Sequence, residues 1–252
     1  MMANIDRCSA MKRRIDIEEE RIFENEKVEN PMIRHSQDKF YWAVAPRITR
    51  HTEATTSIIR GRDVLEIGCS AGRDAELYSQ YSRSYWGVDI SDMAISEAEK
   101  KCLPSSKFKV CDAHALSFDD QSFDVVVVNS LLHHLDVGSA CKEISRVLRP
   151  DGLLVFREPL GSNPLHQLYR LITPAARTAD ERPLSDEDIE SIKQYFSIKQ
   201  ADYFGLMVLI AAYVRVESLR FVLLYLDDII SKSLFKRYFW QISGVCTKHK
   251  RS

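Results

Sequence analysis

The run Val64-Leu65-Glu66-Ile67-Gly68-Cys69-Ser70-Ala71-Gly72-Arg73 constrains this chain more than any other segment. An apolar run meets an acid, turns at a glycine and enters a helical pattern at about Arg73. A strand, a tight loop and a helix start are the geometry with which α/β sheets hold a nucleotide-like ligand. A dinucleotide fingerprint needs glycines at 68, 70 and 73. This chain has Gly68, Ser70 and Arg73, with its second glycine at 72. The spacing is therefore Glu-x-Gly-x-x-x-Gly. An ordinary buried strand followed by a glycine turn gives the same residues, so the segments downstream carry the decision.

Residues 84–91 read as a second strand ending in Asp89, 17 residues after Gly72. A strand-tip acid there can accept both hydroxyls of a ribose. Ser91 is also placed to cap a helix over 92–101. Residues 107–113 read as a third strand running into Asp112 and Ala113. Residues 124–129 form an unbroken β-branched run ending in Asn129, the pattern of a strand covered on both faces. A helical period follows over 140–148. Arg149-Pro150-Asp151-Gly152 then turns into a fifth strand over 153–156.

In this order the motifs resemble the class I S-adenosylmethionine-dependent methyltransferases. Glu66-x-Gly68-x-x-x-Gly72 resembles their motif I, and the Arg-Pro-Asp-Gly turn before strand five is a second mark. The resemblance implies an α/β fold: a Rossmann-like, doubly wound, seven-stranded sheet with an antiparallel edge hairpin and helical insertions. It implies S-adenosylmethionine as cofactor, with contacts from Glu66, Gly68, Cys69, Ser70, Gly72, Asp89, Ile90, Asp112, Ala113 and Asn129. The glycine loop would pass under the methionine part, Asp89 would hold the ribose, and Asp112 with the Ala113 N–H would hold the adenine. Ser70 departs from the glycine common in the family, but it is small. The implied reaction is methyl transfer to a small-molecule acceptor at oxygen: a secondary metabolite, a sugar or a lipid-linked intermediate. A non-catalytic binding protein would keep the same glycines and acids and is the alternative. Ser70 and Arg73 argue against a nicotinamide oxidoreductase.

Ligands of open α/β sheets sit at the carboxyl ends of strands. His133 and His134 after strand four, and Glu158 after strand five, are the candidate bases there. A histidine at that place can equally serve only as a backbone hydrogen-bond partner. The segment 164–194 is long for a plain connection and reads as a helical lid. His166, Tyr169, Arg177 and Glu181 on it are candidate acceptor contacts. Arg177 suits a carboxylate or phosphate, or pairs with Asp180 or Glu181 on the surface.

The chain divides into a flexible charged extension over 1–30, a cofactor core with N-terminal cap helices over 31–158, and an acceptor side over 159–252. Trp42 reads as packing on the sheet, whereas Phe40 and Tyr41 fit either packing or closing over the cofactor. Strands are expected over 195–204 and 237–248. The apolar runs in 204–235 fall short of the ~20 residues that span a bilayer. They are expected as a helical pair covering a pocket or forming a homodimer contact, or as a surface approaching membranes or lipid-linked acceptors. A net charge of −1, with the basic residues dispersed, leaves no nucleic-acid footprint. Six cysteines without a Cys-x-x-Cys pair or zinc spacing point to no metal and to a reducing cytoplasm. Arg7, Lys12, Arg13 and Arg14 break any apolar leader.

Overall fold

A computed structural model describes residues 17–30, 38–172 and 182–249. One seven-stranded sheet organises them. Its strands are β1 (Asp63–Ile67), β2 (Ser84–Asp89), β3 (Ser106–Val110), β4 (Phe123–Asn129), β5 (Leu148–Pro159), β6 (Phe196–Phe204) and β7 (Gln241–Lys248), in the order β3-β2-β1-β4-β5-β7-β6. Strands β1 to β5 pair in parallel, and β7 is antiparallel to both β5 and β6. This is the expected doubly wound sheet with an antiparallel edge. The helices are α1 (Ile17–Glu29), α2 (Asp38–Ile59), α3 (Ala75–Tyr81), α4 (Asp92–Glu99), α5 (Val137–Val147), α6 (Pro164–Ile172), α7 (Asp186–Tyr195), α8 (Val208–Val214) and α9 (Glu217–Ile230).

The unbroken run in β4 is explained by its two packed faces. Successive side chains of a strand point to opposite sides. Val126 and Val128 join Leu65, Ile67 and Phe156 beneath Cys141 and Ile144 of α5 and Ile192 of α7. Val125 and Val127 join Val64 and Val155 beneath Ile59 of α2 and Ala75 and Tyr78 of α3. All four valines are fully buried. Each such burial contributes about 1.5–3 kcal/mol, and polar residues on either face would forfeit it.

Local signals set several boundaries. The Ser91 hydroxyl caps α4 by accepting the Ala94 N–H at 2.9 Å. At α7, Ser185 and Asp188 form a full capping box. The Arg-Pro-Asp-Gly segment lies inside β5 rather than before it. Leu148 already pairs with Phe123, and the next pairing is Leu153 with Val125, so the turn is an irregularity in the ladder with Asp151 at φ +60°. Arg149 from this segment bonds Asp63 at 2.9 Å and Asp124 at 2.7 Å, tying together the N-terminal ends of β1 and β4. Arg83 also bonds Asp63, and its hydrogen bond is the main reason that carboxyl is held well below the usual range.

Residues 17–29 form α1, whose Asn25 amide donates to Asp92 at 3.1 Å at the start of α4. Residues 1–16 lie outside the described residues. The apolar stretch 204–235 forms α8 and α9. Ala211, Ala212 and Leu223 close a small core with Phe40, Val44, Phe204 and Trp240. The opposite face of α9 is also apolar: Phe221, Val222, Tyr225, Leu226 and Ile229 are exposed. Among the described residues no helix is long and apolar enough to cross a membrane.

Close approach of β7 to β5 depends on Gly244, which pairs with the fully buried Phe156. A Cβ there would sit 2.5 Å from a Phe156 ring carbon. Gly244→Ala is expected to destabilise the fold by about 1–3 kcal/mol through overpacking. Urea unfolding of the two proteins measures it, and equal midpoints would contradict this packing.

Candidate active site

The carboxyl ends of β1, β2, β4 and β5 open into one cavity of about 630 Å³. The strand order reverses at β1: the chain runs outward to β2 and β3, then returns to β4 on the other side. The connections above the sheet diverge there and leave a crevice. Its floor is the Ile67–Ser70 loop, Asp89, Asp112, Asn129 and Arg157. Tyr41, Trp42, Ala45 and Ile48 of α2 and Ile17, Glu20 and Glu24 of α1 enclose it.

Gly68 makes the turn possible. Its φ is +76°, and an added Cβ would lie 2.9 Å from Leu131 Cδ2. No other residue accepts both the dihedral and the contact without strain. Ser70 also has positive φ, at +49°. Its N–H donates to Asp89 at 2.8 Å, while the Ser91 N–H donates to the other Asp89 oxygen at 3.0 Å. Burial raises the Asp89 pKa, and these two donors oppose the rise. The carboxylate is thereby fixed across the tips of β1 and β2, with lone pairs left for the cavity. Asp112 accepts the His114 N–H at 2.8 Å. Asn129 Oδ1 lies 3.0 Å from His51 Nε2. Burial, then the Arg157 charge, lowers the His51 pKa to about 4, so His51 is neutral at pH 7.

Glu66 lines the cavity yet is only 3% exposed, and it accepts a hydrogen bond from Tyr85. Burial first, and the Asp74 charge second, push its pKa up to about 8. A protonated carboxyl therefore sits under the glycine loop at neutral pH.

The three candidate bases have different surroundings. His134 lines the cavity, and its Nδ1 is 3.0 Å from Glu20 of α1. Glu158 was expected to face the crevice, and that expectation is corrected. It is fully buried, outside the cavity wall. One oxygen accepts the Leu131 and Leu132 N–H groups at 2.8 and 2.9 Å, and the other lies 2.7 Å from His133 Nδ1. Burial pushes its pKa up to about 7 against those donors. His133 is likewise turned to Glu158 and does not line the cavity. The cause is packing: a carboxylate at the tip of β5 satisfies a loop whose N–H groups are otherwise orphaned.

Glu66, Gly68, Cys69, Ser70, Asp89, Ile90, Asp112, Ala113 and Asn129 all border the cavity. Gly72 does not. Its φ is +68° and an added Cβ would lie 3.2 Å from Ala98 Cβ, so it serves the approach to α4. His166 is also outside the cavity, with its ring 5.7 Å from that of Trp240. The Tyr169 side chain, Arg177 and Glu181 lie outside the described residues. Trp42 was expected to pack on the sheet but forms part of the cavity wall, with the Arg220 guanidinium 4.6 Å from its ring centroid.

Sequence reasoning missed Glu20, Ala45, Ile48 and Arg157. For α2 a signal existed: Tyr41, Ala45 and Ile48 recur at i, i+4 and i+7, one helical stripe. For Arg157 the signal was a lone cation closing the apolar run 153–156. Glu20 had none, since α1 is charged on all sides.

Glu66 and Glu158 bind protons more tightly folded than unfolded, so their contribution to stability is full below about pH 4.5 and is lost as pH rises through 7–8. Glu66→Gln is expected to flatten the loss between pH 6 and 8 by up to ~1.4 kcal/mol per pH unit. Urea melts at the two pH values test this, and an unchanged slope would show that Glu66 is ionised throughout.

Residues 65–156 match the methyltransferase domain family. The chain is 31% identical over 169 residues to the O-methyltransferase cnsE of Penicillium expansum, covering 63% of this chain and 60% of that protein. It is 30% identical over 149 residues to the phthiotriol/phenolphthiotriol dimycocerosates methyltransferase 1 of Mycobacterium ulcerans, covering 57% and 55%. The chain thus spans about 60% or less of the length of these relatives. Among solved structures, the N-methyltransferase NodS of Bradyrhizobium japonicum with S-adenosyl-L-homocysteine superposes at TM-score 0.56. That match is 16% identical and covers 82% of this chain and 87% of NodS, which shows the shared fold. The glycine turn and the strand-tip acids thus lie within residues 65–156, the segment that matches the methyltransferase domain, on a sheet whose fold is shared with solved methyltransferases, and together these support S-adenosylmethionine as the cofactor.

Proposed function

We propose that this protein transfers a methyl group from S-adenosylmethionine to an oxygen of a small, largely apolar acceptor. One observation carries the reading: the Gly68 turn, the Asp89 carboxylate and the His134 imidazole border a single cavity. The residues suit the cofactor. The Gly68 turn borders the cavity, and Asp89 retains acceptor capacity toward ribose hydroxyls. Asp112 and the Ala113 N–H would hold the adenine and Glu66 would lie under the methionine part, all of them lining the cavity.

When bound, the cofactor supplies a methyl group already activated by its sulfonium charge. The protein's task is then to orient the acceptor in line and to exclude water, which contributes up to ~7–11 kcal/mol in favourable cases. Trp42, Ala45 and Ile48 form an apolar wall suited to that exclusion. His134 takes the hydroxyl proton, oriented by Glu20, a role worth roughly 10²–10⁴-fold. Glu158 and His133 act indirectly: they hold Leu131, which seats the Gly68 turn.

Two features support a hydrophobic or lipid-linked acceptor. The Mycobacterium ulcerans relative is named for a dimycocerosate substrate. The exposed face of α9 continues into Leu234 and Phe235, beside the exposed cations Lys232, Lys236 and Arg237. That combination suits a peripheral contact with an anionic bilayer.

Asp89→Ala is expected to weaken S-adenosylmethionine binding by ~1–3 kcal/mol, the range for a buried charged hydrogen-bonding group. Calorimetry decides, and undiminished affinity would remove Asp89 as the ribose partner. The protein is also expected to float with phosphatidylglycerol vesicles and to lose that association in Phe221→Asp. Absence of the wild type from the lipid fraction would end the membrane reading.

A further inference from the structure

Two guanidinium groups line the cavity, Arg73 beside the glycine loop and Arg157 on the far side of the sheet. Arg157 stands at the carboxyl end of β5, paired in register with Asn129 of β4. Among the described residues Nη1 donates to the Gln241 amide oxygen at 3.3 Å, and the buried Nε meets no hydrogen-bond partner. Among the described residues no carboxylate lies within 4.0 Å of it, whereas the half-buried Arg47, Arg146 and Arg149 all reach one. A guanidinium in a cavity wall without a counter-charge is costly, and an anion that enters with the ligand offsets the cost.

Position separates this charge from the cofactor's own groups. The cavity carboxylates Asp89 and Asp112 follow β2 and β3, and Glu66 lies on β1. Glu20 and Glu24 come down from α1. Arg157 is two strands away from β1 in the opposite direction, roughly 10 Å across the sheet. On the Arg157 side Asp38 opens α2 ahead of Tyr41 and Trp42, and Asp202 acts on His51 through its charge, while two polar groups nearest the guanidinium are neutral. Asn129 and His51 hold each other, and burial together with Arg157 keeps His51 uncharged. Above this half of the crevice α2 brings Tyr41 and Trp42, with the Tyr41 ring 5.8 Å from that of Trp240 on the β7 side.

We infer that Arg157 reads an anionic group, of the carboxylate class, on an apolar or aromatic acceptor. The inference rests on the methyltransferase reading and deepens it: the acceptor is a hydrophobic acid, with its anion on the fork of Arg157 and its apolar body against Tyr41 and Trp42. The other anion of this chemistry is the cofactor's own methionyl carboxylate, and the experiment separates the two.

Wild-type protein loaded with S-adenosylhomocysteine is titrated with matched acids and amides: benzoate and benzamide, indole-3-acetate and indole-3-acetamide, decanoate and decanamide. At least one acid is expected to bind about tenfold tighter than its amide, as a charge-assisted bidentate contact gives. In Arg157→Gln the preference is expected to vanish while affinity for S-adenosylhomocysteine stays within about twofold of wild type. Arg157→Lys keeps the charge without the fork and is expected to retain part of the preference, which covers the case in which the glutamine variant does not fold. Amides binding as well as acids throughout the panel would overturn the inference, as would a preference that survives in Arg157→Gln. A loss confined to S-adenosylhomocysteine affinity would assign Arg157 to the cofactor and overturn it equally. Failure of the wild type to bind S-adenosylhomocysteine would instead sink the methyltransferase reading, so the two failures are distinct.

Discussion

The contact between Gly68 and Leu131 is the constraint on which the crevice depends. The chain leaves β1 with positive φ, and the space where a Cβ would stand is filled by Leu131 from the loop after β4. That loop is held from below by Glu158, which accepts the Leu131 and Leu132 N–H groups from full burial. Three adjacent strands thereby fix one another: β5 anchors the loop of β4, and the loop of β4 seats the turn of β1. Asp89 continues the chain of support to β2 by accepting the Ser70 N–H. A buried carboxylate that satisfies two backbone donors is exacting, because either partner without the other leaves an unpaired polar group in the core.

The same arrangement divides the cavity electrically. Carboxylates gather around β1, β2 and β3 and on α1, with Asp38 on α2 and the cation Arg73 beside the glycine loop, and the guanidinium of Arg157 stands on the β5 side. Burial keeps Glu66 largely protonated at neutral pH, so the glycine loop is less negative than its sequence suggests. Two residues that look alike in the sequence, the adjacent His133 and His134, part company here. The tight turn Leu132–His134 aims one ring at Glu158 and the other at the cavity and Glu20.

The outer layer follows a different logic. Helices α8 and α9 are apolar on two faces, and only one face meets the small core around Phe40 and Trp240. The Arg220 side chain, with its charge over Trp42, links this layer to the cavity wall. This outer layer is thus built from late segments of the chain packed on an early helix, α2. Its composition alone carried little information about which residues face inward.

The sheet was legible in the sequence because its causes are local. The β-branched run at 125–128, the glycine at 68 and the cap at Ser91 each act through their own backbone or their immediate neighbours. The order of motifs then implied the strand order. The bounds of β5 were harder, since an irregular ladder hides the Arg-Pro-Asp-Gly segment inside the strand. What the tertiary structure decided were relations between distant segments. It took Glu158 out of the crevice, turned Trp42 into it, moved Gly72 to the helix packing and brought Glu20 from a charged, patternless helix to His134. Residue type states what a side chain can bond. Which partner it meets depends on the packing of elements far apart in the chain, and no local spacing records that.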